Sequence, residues 1–235
     1  MGLDGTTIAP AIDPQRLLFL WLSPSFPVGA FAYSQGLEQA VDRGLVRERA
    51  DLQDWMSILI RQGPLRNDLI VLAETHRCAS QENWSGIVTV NDLACALAPS
   101  AERYLETTQQ GSSFLLAVAA AWTAPALDRA RTCLQGAIAY PVAVGVATAA
   151  HAIPAPSVLD AYAFAWATNV TSAAIRLSVM GQTDAQLIVA ALAGDLTRLA
   201  LELTQSSQED LGSAAFSADL CALEHETQYS RLFRS

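Results

Sequence analysis

The chain has 235 residues, 51% of them hydrophobic, and a formal net charge of −9 with a sequence pI near 4.7. All 14 basic residues are arginine. The absence of lysine removes a phosphate-loop lysine, a Schiff-base nucleophile and a pyridoxal anchor, and the acidic balance argues against nucleic acid as a partner.

The N-terminus, MGLDGTTIAPAID, lacks the cationic and apolar regions of a secretory signal. Its Met1-Gly2…Thr6 pattern fits N-myristoylation only formally. Residues 1–12 read as a flexible leader. Asp13-Pro14 is a helix start, an Asp cap followed by Pro in the first turn, for QRLLFLWLS. The connection PSFPVGAFAYSQGLE (24–38) follows. Its prolines stiffen the chain, and Gly29 permits an unusual dihedral or a close approach. Phe26, Val28 and Phe31 are expected to pack on the core. A second helix is expected from Ser34 to Gly44, with Ser34 either capping it or meeting a partner. Gln35 and Glu38 then lie on a helix face that is either solvated or an interface.

Apolar spacing predicts helices over 51–63 and in LRNDLIVLAETHRCA, then SAERYLETTQQG leading into SFLLAVAAAW. Glu102 and Glu106, four apart, read as a solvated acidic pair. The Ala- and Gly-rich stretch 134–152 reads as a helix that neighbours approach closely, started or kinked by Pro141. Ser157-x-x-Asp160 and Thr183-x-x-Gln186 fit capping boxes for two more helices, the first closed by Gly181. No stretch shows hairpin-bounded alternation, and no apolar run reaches the ~20 residues of a membrane span. These features predict one all-α domain, a bundle of roughly ten helices, in a cytoplasmic protein. Cys78, Cys95, Cys133 and Cys221 have no CxxC pairing and read as buried thiols. Trp55, Trp84, Trp122 and Trp166 read as core anchors.

His76, His151 and His225 belong to no catalytic or metal motif, and no nucleophile elbow or GxGxxG turn is present. The C-terminal HETQYSRLFRS concentrates His225, Tyr229, Arg231, Phe233 and Arg234. Such a segment either binds a partner, since Tyr, Phe and Arg are favoured interface residues, or docks on its own domain.

Two of these stretches, FPVGAFAYSQGLE (26–38) and HETQYSRLFRS (225–235), resemble the opening and closing blocks of the urease accessory protein UreF family. AYPVAVGVA and AAIRLSVMGQTDAQ resemble its middle and later blocks, in the same order along most of the chain. The resemblance implies a non-catalytic, all-helical protein without a cofactor. It would act as a homodimer with a UreD-type protein (UreH in some bacteria) and the GTPase UreG on urease apoprotein. There it would promote nickel insertion and lysine carbamylation, activating or gating the GTPase. It places partner contacts at Tyr33, Ser34, Gln35 and Glu38 and in a tail spanning 219–235, at His225, Glu226, Tyr229, Ser230, Arg231, Leu232, Phe233 and Arg234. The residues alone leave two other readings open, a nickel carrier or helical enzyme using scattered His and Glu, and a generic helical oligomerisation domain.

Overall fold

A computed structural model describes residues 13–235; the leader and its Met1-Gly2 pattern lie outside them. Among the described residues there are eleven α-helices and no strand. Asp13 caps α1 (Pro14–Trp21) through Gln15 N–H, as the Asp-Pro pair predicts. After a 3₁₀ turn at Ala30–Ala32 come α2 (Leu37–Asp42), α3 (Arg49–Gln62) and α4 (Pro64–Ser80). Next are α5 (Trp84–Ala96), α6 (Ala101–Ala121) and α7 (Pro125–Cys133). The last four are α8 (Tyr140–Ala150), α9 (Ala155–Arg176), α10 (Gln182–Leu203) and α11 (Phe216–His225).

The Ala/Val-rich stretch becomes α8, which is buried from Pro141 to Thr148 and apolar all round. It lies between α4 and α6, as expected of a helix with no polar face. Small residues set these contacts. A Cβ on Gly145 would sit 2.9 Å from Thr75 Cβ, and one on Gly111 of α6 only 2.0 Å from Ile138 O. Around this centre, α9 packs on α10 and α4, and α3 on α10. Trp21 is buried edge-on against Phe114, Trp122 and His151.

Several local expectations are corrected. Helices α9 and α10 begin at Ala155 and Gln182, so Ser157 and Thr183 lie inside them and form no capping boxes; Pro154 and Pro156 set the earlier start of α9. Gly181 opens α10, and α9 ends at Arg176. The second helix begins at Leu37, not Ser34, because Gln35 and Gly36 have φ of +59° and +79°. Phe31 is 70% exposed, whereas Phe26 and Val28 pack inward. Helices α5 and α7 were not legible as separate elements. Residues 219–225 belong to α11, so the non-helical tail starts only after His225. Ala218, Cys221 and Ala222 form its buried face against α2.

Candidate functional site

The opening stretch and the closing tail, some two hundred positions apart in sequence, meet. Gly36 makes this possible twice over. Its left-handed backbone turns the chain into α2, and its missing side chain lets α11 approach, since a Cβ there would lie 2.9 Å from Ala222 N. Two buried or half-buried carboxylates then form the seat of the tail. Glu38 of α2, 7% exposed, accepts the N–H of Leu232 through Oε1 (2.6 Å) and that of Phe233 through Oε2 (2.9 Å). Glu102 of α6 accepts from Arg231 Nη1 at 2.5 Å. His225, fully buried at the end of α11, lies between them, with Nε2 3.1 Å from Glu38 Oε2 and Nδ1 2.6 Å from Glu102 Oε2. Both ring nitrogens thus face carboxylate oxygens.

The seat continues past these carboxylates. Ser34 donates its N–H (2.5 Å) and its hydroxyl to Ser235 O, while its oxygen receives Glu38 N–H at 3.2 Å. The Ser34 hydroxyl, three residues ahead of α2, thus joins the first turn of that helix to the end of the tail. Arg234 N–H donates to Ala32 O at 2.8 Å. Phe233 is buried beneath Arg176, whose guanidinium carbon lies 4.2 Å from the ring centre. Glu106, read from sequence as solvated, is 3% exposed and ties the seat to the interior. It accepts from Arg103, Gln35 (3.1 Å), Gln110 (3.2 Å) and Ser235 Oγ (3.0 Å). Gln35 in turn receives Trp166 Nε1–H at 2.9 Å, and Tyr33 donates to Gln109 at 2.5 Å.

Of the residues expected at an interface, Tyr33, Ser34, Glu38, His225 and Phe233 are therefore buried in this conformation. Glu226 caps α6 by accepting Ala101 N–H at 2.7 Å. Ser230, Arg231 and Arg234 are exposed, as are Leu232 and, entirely, Tyr229; Arg231 lies beside Glu102.

Beyond Glu106 lies a cavity of ≈ 230 Å³ lined by Gln35, Asp68, Arg103, Tyr140, Tyr162 and Trp166. Tyr162 donates to Asp68 Oδ2 at 3.0 Å, and Tyr140 stacks at a tilt on Tyr162. Burial pushes the Asp68 carboxyl up to about 6, the nearby Arg103 charge opposing and Glu106 reinforcing the shift. Burial also raises both tyrosines, with the Asp68 charge adding to it. Sequence reasoning passed over Asp68, Arg103 and Tyr162. The one signal present was the i, i+3 and i, i+4 spacing of Arg103, Glu106 and Gln110, which fixes neighbours but not burial.

The other histidines have separate roles: His76 Nε2 lies 2.8 Å from Ile153 O and His151 Nδ1 2.8 Å from Ala147 O. Among the described residues, no group of three or more His, Cys, Asp or Glu side chains is disposed to hold a metal ion. The cysteines are free, with Cys78 and Cys221 buried and the other two half-buried. No helix among the described residues is long and apolar enough to cross a membrane.

Comparison with known proteins gives a consistent result. A family profile described as UreF matches residues 46–193. A urease accessory protein UreF of Xanthobacter autotrophicus is 51% identical over 218 residues, covering 93% of this chain and 90% of that one. The one from Methylobacterium radiotolerans is 49% identical over 227 residues, covering 97% and 99%. One from Rhodopseudomonas palustris strain BisB5 is 45% identical over 236 residues, covering 99% and 97%.

Proposed function

The chain belongs to the UreF family of urease accessory proteins, and from that premise we propose that it is a cytoplasmic, non-catalytic scaffold. In this reading it joins a UreD-type protein and the GTPase UreG on urease apoprotein, where nickel is the cargo delivered. It works as a homodimer, and its contact with the UreD-type protein runs through the tail. The observation that carries the tail's role is the contrast within residues 229–233. Tyr229 is fully exposed and Leu232 56% exposed, yet the main chain of Leu232 and Phe233 is held by the buried Glu38. The aliphatic side chain of Leu232 stands on a main chain held in place, and the aromatic ring of Tyr229 is presented three residues before it.

The test is co-expression with the UreD-type protein. A chain carrying Tyr229→Ala and Leu232→Ala, both at exposed positions, is expected to fold normally and to lose co-purification. Equal capture of the partner would overturn the role given to the tail.

A further inference from the structure

The seat beneath the tail is built by elements that do not include the tail. Glu38 belongs to α2, Glu102 and Glu106 to α6, and His225, which spaces the first two, to α11. Removing residues 231–235 therefore leaves the carboxylates oriented. It also leaves Glu38 without two N–H donors, Glu102 without Arg231 and Glu106 without Ser235 Oγ. An empty seat with unsatisfied carboxylates is costly, so exchange for another segment is favoured over simple release.

The contacts also describe what fits. They reach four main-chain groups: the N–H groups of Leu232, Phe233 and Arg234 and the main-chain oxygen of Ser235. Main-chain reading tolerates many sequences. Three side chains add selection, Arg231 on Glu102, Phe233 under Arg176 and Ser235 Oγ on Glu106. Residues 227–230 bond only to the end of α11 and to one another, so the tail can leave without unwinding the core.

We propose that this trough is an exchangeable peptide site, held in cis by residues 231–235, which accepts from a partner chain an extended segment with a cationic residue two positions before an aromatic one. The inference rests on the reading of the tail as a partner element. It explains how Phe233, buried here, becomes available to a partner: as the partner's segment takes the seat, the tail is released to it.

The probe is a fluorescent peptide with the sequence of residues 229–235, titrated into the full chain. A tethered tail competes at an effective concentration of about millimolar, so the parent protein is expected to bind the probe weakly. Phe233→Ala loosens the resident tail and is expected to tighten probe binding at least tenfold. Adding Glu38→Gln should abolish that gain. Helical circular dichroism checks the fold, and Arg231→Ala, at an exposed position, provides a second loosened variant. Equal probe affinity in the parent and both loosened variants would overturn the proposal, as would a gain indifferent to Glu38→Gln. A concentration-dependent dimer of the parent that the probe disperses would contradict the partner assignment and give the seat to a second copy. Loss of partner capture by the Tyr229/Leu232 variant alongside failed probe binding would refute exchange and leave the tail's role standing.

Discussion

Helix α8 and the seat of the tail are both buried, but by opposite means. Around α8 the contacts are apolar and their geometry is set by missing atoms: Gly145 against Thr75, Gly111 against the carbonyl of Ile138. At the seat the geometry is set by atoms present, with Glu38 and Glu102 sharing His225 and dividing the tail's donors between them. The first arrangement is non-directional and tolerates no added volume. The second is directional, and the loss of one member leaves charges unpaired. The core thus gives the molecule its rigidity, and the seat holds a segment whose outer face is exposed.

Breaking the core should have the larger effect. Gly111→Ala places a methyl 2.0 Å from Ile138 O. It is expected to lower global stability by about 3 kcal/mol or more, or to prevent soluble expression; denaturant unfolding measures this. At the seat, His225→Ala leaves Glu38 and Glu102 facing each other without the ring. A loss of about 2–3 kcal/mol is expected, together with faster amide exchange at Leu232 and Phe233 while α8 stays protected. A uniform rise in exchange across both regions would show that the seat and the core do not unfold separately.

A smaller, pH-dependent effect sharpens it. Burial raises Asp68 to about 6 in the folded chain from an ordinary 3.8. Between about pH 4 and 6 the native state binds more protons at this carboxyl than the unfolded chain does. This group's contribution to stability therefore falls as pH rises through that window. Asp68→Asn should remove that slope, leaving the variant relatively more stable at pH 7 by about 1–3 kcal/mol. Parallel stability curves for the two proteins from pH 4 to 7 would show that Asp68 carries no such linkage.

The sequence disclosed these two regions unequally. The α8 core was legible because alanine, glycine and valine content reports directly on close helix packing, and Pro141 marked its start. The Asp13 cap was equally plain, since the side chain and its target lie two residues apart. The seat was legible only as two unusual stretches. Nothing in the spacing of Glu102 and Glu106 distinguishes a solvated pair from one covered by a tail more than a hundred residues later. Asp68 was hidden for a related reason, because its tyrosine and arginine neighbours come from other helices. The false capping boxes at Ser157 and Thr183 show how a four-residue pattern loses to Pro154 and Pro156 in one case and, in the other, to a start that follows Gly181 directly.

The proposed role of the tail depends most on its exposed face being a contact surface. The direct measurement is capture of the UreD-type protein by the full chain carrying Tyr229→Ala and Leu232→Ala, alongside a thermal melt. The expected result is a melting temperature within about 2 °C of the parent, since exposed substitutions cost little, and at least a tenfold drop in partner captured. Undiminished capture by a normally folded variant would contradict it.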